Sequence, residues 1–131
     1  MKLKKKVLII TDESSGTAEM ATGIAAALKG NIVAIKGVSE FNGNDILPAE
    51  AFFLGCGKPK PDSFAYIEAL FLHINLVGRP CGVFSPGCKR TAKYLAGLIR
   101  GSEAVLNPNP LLGPSKGELK AWSQSVISKS F

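Results

Sequence analysis

Five short runs in this chain are apolar at every position, and segments with helical periodicity separate most of them. Val7-Leu8-Ile9-Ile10, Ile32-Val33-Ala34-Ile35, Ala51-Phe52-Phe53-Leu54, Cys81-Gly82-Val83-Phe84 and the shorter Ala104-Val105-Leu106 read as strands. A strand without polar alternation has no face to offer water, so both of its faces should be covered. Met20, Ala21, Ile24, Ala25 and Leu28 fall on one helical face, and Gly30 follows as a stop. Phe64, Ile67, Leu70, Phe71 and Ile74 make a second face, with Asp62 or Ser63 as its cap. Ala92, Leu95, Ala96 and Ile99 make a third, closed by Gly101. Leu119, Trp122 and Val126 make a fourth, after the turn-rich residues 107–117. Residues 37–50 are rich in Gly, Asn, Asp and Pro and predict a loop with room for one helical turn.

This alternation calls for an α/β fold, a three-layer doubly wound parallel sheet with helices on both faces. Right-handed crossovers restrict the topology, and with five strands the order 2-1-3-4-5 is the expectation. The winding direction reverses between strands 1 and 3, and a crevice opens there above their carboxyl ends. Residues 11–17 and 56–61 should line it, with residues 85–90 beside them.

Composition agrees. With 131 residues the chain suits one domain, residues 1–131, able to bury a core without metal or disulfide staples. Apolar residues make up 46% and charged residues 20%, which argues against disorder. No run approaches the ~18 apolar residues of a membrane span. The basic start is followed by only four apolar residues, 7–10, too few for a signal-peptide core, so a cytoplasmic protein is expected. Sixteen Lys and Arg against ten Asp and Glu give a net charge of +6. Part of that surplus is Lys2, Lys4, Lys5 and Lys6, which read as a solvated tail. The rest allows an anionic partner, although no basic-aromatic alternation points to nucleic acid. Three cysteines, an odd number, read as reduced thiols.

The first crevice loop runs Thr11-Asp12-Glu13-Ser14-Ser15-Gly16-Thr17 into a helix. Small hydroxyl residues and Gly at a helix start leave backbone N–H groups free at the positive dipole end, a general anion site. One of Ser14, Ser15 or Thr17 could equally be a plain N-cap.

These segments resemble the flavodoxin family over nearly the whole chain. Lys6-Val7-Leu8-Ile9-Ile10 and Thr17-x-x-x-Ala21-x-x-Ile24 are similar to its first strand and helix, and Phe53-Leu54-Gly55-Cys56 to the end of its third strand. Residues 77–84, Val-Gly-Arg-Pro-Cys-Gly-Val-Phe, resemble the turn and fourth strand. The family uses the strand order derived above, so order and resemblance are one observation rather than two. The resemblance implies FMN as cofactor and one-electron transfer to a redox protein partner. Thr11, Asp12, Ser14, Ser15, Gly16 and Thr17 would surround the phosphate. Cys56, Gly57 and Lys58, with Ser85, Pro86, Gly87 and Cys88, would border the ring.

The chain departs from the family in three ways. Asp12 and Glu13 bring carboxylates toward the phosphate. The ring-bordering loops hold no Trp or Tyr to stack on a flavin, and the chain is basic where the family is generally acidic. These departures define an alternative: a flavodoxin-fold binding module without FMN, serving a small anion or thiol chemistry. Cys88 opens a helix beside Lys89 and Arg90, a setting that activates a thiol, with Cys56 as a candidate resolving partner. Lys58, Lys60, Lys89 and Arg90 would ring the crevice. The lone His73 has no metal-ligand spacing around it, Cys81 and Trp122 read as core, and no phosphoacceptor Asp follows strand 3.

Overall fold

The computed structural model describes residues 4–87, 89–113 and 116–128. Its strands are β1 (Lys6–Thr11), β2 (Ile32–Gly37), β3 (Ala51–Gly55), β4 (Pro80–Ser85), β5 (Val105–Leu106) and β6 (Leu111–Leu112). The helices are α1 (Ser15–Ala27), α2 (Gly43–Ile46), α3 (Ala65–Phe71), α4 (Lys89–Arg100) and α5 (Lys116–Ile127). All strand pairs are parallel and the order is β2-β1-β3-β4-β5, as the alternation predicts.

Successive strand residues point to opposite faces, and the core divides accordingly. Val7, Ile9, Phe53 and Phe84 pack with Met20, Ile24, Leu28, Trp122 and Val126 under α1 and α5. Leu8, Ile10, Phe52, Leu54 and Val83 pack with Ile46, Ile67, Phe71, Leu95 and Ile99 under α2, α3 and α4. This is the three-layer arrangement. Trp122 lies against Phe53 with ring centroids 5.5 Å apart, and Cys81 is fully buried, both as read from the sequence.

Three local expectations change. β2 is not covered on both faces: it closes one edge of the sheet, and Ile32 and Ile35 are 54% and 43% exposed. The single fifth strand is interrupted. β5 pairs with Pro80 and Cys81, and β6 pairs with Phe84 and Ser85 further along the same edge. From Cys81↔Leu106 to Phe84↔Leu111 the chain advances three residues on β4 against five on the edge. Pro108 and Pro110 lie in the intervening stretch, and neither has an N–H for the ladder.

Within residues 37–50 the one helical turn is α2, closed by a capping box between Asn42 and Asp45. Arg79 holds its far end, with Nη1 2.9, 2.8 and 2.9 Å from the carbonyls of Ile46, Leu47 and Ala49. Neither Asp62 nor Ser63 caps α3. A 3-10 turn, Asp62–Phe64, leads in from Pro61, and Phe64 stands at the N-cap without a side-chain bond. Among the described residues no helix is long and apolar enough to cross a membrane.

Candidate functional site

The parallel sheet brings the ends of β1, β3 and β4 to one rim. Thr11 ends β1 almost fully buried, and its Oγ1 accepts from the Glu13 amide at 3.2 Å. Asp12 follows and turns inward. Its Oδ1 accepts from the Ser14 amide at 3.1 Å and from the Ser14 hydroxyl at 2.7 Å. Its Oδ2 accepts from the Gly57 amide, just past β3, at 2.8 Å. The loop after β4 closes the other side: a Cβ on Gly16 would lie 3.2 Å from Pro86 Cβ. Two segments 45 residues apart are therefore tied by one carboxylate, and the third loop rests on the helix start.

Ser14 is the N-cap of α1, in extended conformation, and its carbonyl takes the first helical bond from Ala18 at 2.8 Å. Its hydroxyl proton goes to Asp12, so at the 2.9 Å contact with Thr17 Oγ1 it is Thr17 that donates. Ser14 therefore makes no side-chain cap to the helix. The amides of Ser15, Gly16 and Thr17 are the first-turn donors that a helix leaves without an internal acceptor. Thr17 is fully buried, and a Cβ on Gly57 would meet Ser14 Oγ at 3.1 Å and both Thr17 Oγ1 and Asp12 Oδ2 at 3.7 Å.

The two carboxylates flagged by the sequence behave differently. Glu13 takes a left-handed backbone, φ 71°, which carries it away from the rim. Its Oε2 accepts from the Ser39 hydroxyl at 2.5 Å beyond the end of β2. Asp12 alone stays among the donors. The amide fan and the Ser14 and Thr17 hydroxyls fit the donor set of a phosphate, with Asp12 as the one group that opposes it.

On the ring side, Cys56 is fully buried and faces the core under α3 and α4, not the rim. Its Sγ lies 3.2 Å from the Lys58 carbonyl. Burial, helped by the Asp12 charge and partly offset by a backbone hydrogen bond at Lys58, pushes its thiol up to about 12. A thiol held protonated is a poor nucleophile, and the Cys56 side chain packs in the core cluster rather than opening to the rim. Cys88 lies outside the described residues. Lys58, Lys60, Lys89 and Arg90 are exposed, Lys60 with a left-handed φ of 48°. Ser85 is fully buried and accepts at its carbonyl from Gly113 at 2.9 Å, Pro86 is half-buried and Gly87 is open to solvent.

A separate hollow lies away from this rim. A groove of about 420 Å³ runs between α4 and the broken edge strand, lined by Val83, Lys89, Ala92, Lys93, Leu106 and Pro108 among others. The sequence reading missed it because the groove follows from the strand break. It missed the Glu13–Ser39 and Asp12–Gly57 ties for a related reason: both join residues far apart in order.

No family model and no curated protein matches this chain at the level of sequence. Solved structures do. Flavodoxin 2 of Bacillus cereus superposes with a TM-score of 0.81 at 16% identity, covering 94% of this chain and 98% of that one. A flavodoxin of Streptococcus pneumoniae TIGR4 gives 0.80 at 14%, covering 94% and 97%. Two-electron reduced Megasphaera elsdenii flavodoxin gives 0.74 at 21%, covering 94% and 99%. At such identities the likeness is one of architecture, and the chain has a flavodoxin-like fold.

Proposed function

We propose that this chain binds FMN at the rim between the β1, β3 and β4 loops and carries single electrons between redox proteins. One observation carries the reading. Asp12, Ser14 and Gly57 meet within hydrogen-bond distance, and Pro86 packs on Gly16, all around the open first turn of α1. Helix N-termini with free amides attract phosphate, and the likeness to flavodoxins over nearly the whole chain supports a flavin as the rest of the ligand. The amides of Ser15, Gly16 and Thr17 and the hydroxyls of Ser14 and Thr17 would hold the phosphate. Gly57 and Lys58 on one side, and Ser85, Pro86 and Gly87 on the other, would border the isoalloxazine. Thr11 supports the loop from below. The bound flavin would supply the electron chemistry, and the chain would position it. The excess of Lys and Arg favours an acidic redox partner.

A second reading, a flavodoxin-fold binding module that takes no flavin, is favoured by the Asp12 carboxylate lying among the phosphate donors. Titration of purified protein with FMN separates the two. Saturable quenching of flavin fluorescence with a shifted visible band supports the first. A flat titration on folded protein overturns it.

A further inference from the structure

We infer that Asp12 is a built-in anion that ties the phosphate cradle together in the free chain and weakens its hold on the FMN phosphate. The inference rests on the FMN reading and adds to it a residue that sets ligand choice. Three donors converge on this one carboxylate: the Ser14 amide, the Ser14 hydroxyl and the Gly57 amide. One of them, the Ser14 hydroxyl, is a group that a phosphate at the start of α1 would otherwise recruit, and the positive end of the helix dipole favours a negative charge there. The carboxylate thus does for the free chain what a bound phosphate would do. It also stitches the β1 loop to the β3 loop, a tie that nothing local in either loop would make.

A phosphate seated on the amides of Ser15, Gly16 and Thr17 would bring a dianion beside Asp12. Like charges at such range repel even when well screened. To relieve this Asp12 must swing outward, and the bonds to Ser14 and Gly57 break. Glu13, next in sequence, imposes no such cost because it is already engaged at Ser39. A flavin without a phosphate, riboflavin, carries no charge to repel. Asp12 should therefore weaken FMN and leave riboflavin nearly untouched, a contrast that a purely structural role would not produce.

The test compares wild type, Asp12→Ser and Asp12→Asn. Each is titrated with FMN and with riboflavin, and each is unfolded in urea without ligand. Both variants should bind FMN at least ~10-fold more tightly, from removal of one charge beside a dianion. Riboflavin affinity should change by less than ~2-fold by the same reasoning. The urea midpoint of the free variants should fall, because the loop-to-loop tie is lost. Wild type that binds FMN with variants no tighter overturns the inference and leaves the FMN reading standing. Equal tightening toward both flavins overturns it as well. Folded wild type and folded variants that all ignore both flavins overturn the inference together with the reading beneath it. Circular dichroism of each variant establishes folding before titration.

Discussion

Gly55→Ala should destabilise this protein although it adds one methyl group. Phe84 lies opposite Gly55 in the β3–β4 register and folds its fully buried ring over the glycine. A Cβ on Gly55 would lie 2.3, 2.4 and 2.6 Å from Phe84 Cε2, Cζ and Cδ2. Carbon atoms pack best at roughly 3.5–4.0 Å, so the ring must retreat by about 1 Å or more. It would retreat into the cluster of Met20, Leu111 and Trp122, which has little slack. Overpacking of this kind costs about 1–3 kcal/mol. The stiffer unfolded chain of an alanine returns about 0.4–1 kcal/mol where its backbone fits. The net loss should be about 1–2 kcal/mol, read as a lower urea midpoint at unchanged slope. The sharper form is a double-mutant cycle with Phe84→Leu, which alone leaves a cavity and costs about 1–2 kcal/mol. The shorter side chain makes room for the alanine, so the double variant should be more stable than the summed singles by about 1 kcal/mol. Additivity within about 0.5 kcal/mol would show that Gly55 and Phe84 are not in steric conflict, because independent sites behave that way.

Arg79→Met removes a guanidinium shared by three carbonyls and should cost about 2–3 kcal/mol by thermal unfolding, with Arg79→Lys recovering only part. A loss below about 0.5 kcal/mol would contradict that clamp. Cys56 and Cys81 are both pushed up to about 12 by burial. Folded protein therefore keeps protons that the unfolded chain releases above its ordinary thiol range, and stability should decline as pH rises from about 9 toward 12. A flat pH profile over that interval speaks against the burial of these thiols. Labelling of Cys56 at neutral pH should follow global unfolding, and labelling faster than unfolding would show a reactive thiol. Lys60→Gly relieves a left-handed φ of 48° and should stabilise by about 0.5–1 kcal/mol, checked by the same urea titration.

The parts of the fold legible in sequence were those written in contiguous residues. Val7 to Ile10 and Ala51 to Leu54 have no polar alternation, and both became central strands with both faces buried. Ile32 to Ile35 carries the same pattern and became an edge, because exposure of β2 depends on strand order rather than on its own residues. Leu111 and Leu112 were hidden as a strand by the prolines that interrupt the edge. At the rim, the sequence located all three loops but not the direction of two carboxylates. Asp12 turns in because the Gly57 amide, 45 residues away, offers it a donor, and Glu13 turns out because its own left-handed backbone aims it at Ser39. Cys56 sits at the strand end where the resemblance put it, yet its side chain belongs to the core. Strand parity decides that, and the strand end was the part of the prediction with the least local signal.

Amide chemical-shift mapping of ¹⁵N-labelled protein during an FMN titration reports where a flavin lands as well as whether one binds. The largest shifts should fall on Ser15, Gly16 and Thr17, with Gly57, Lys58 and Gly87 following. Shifts confined to the groove of Lys89, Lys93 and Leu106, or none at saturating flavin, would mean that FMN does not bind at this rim.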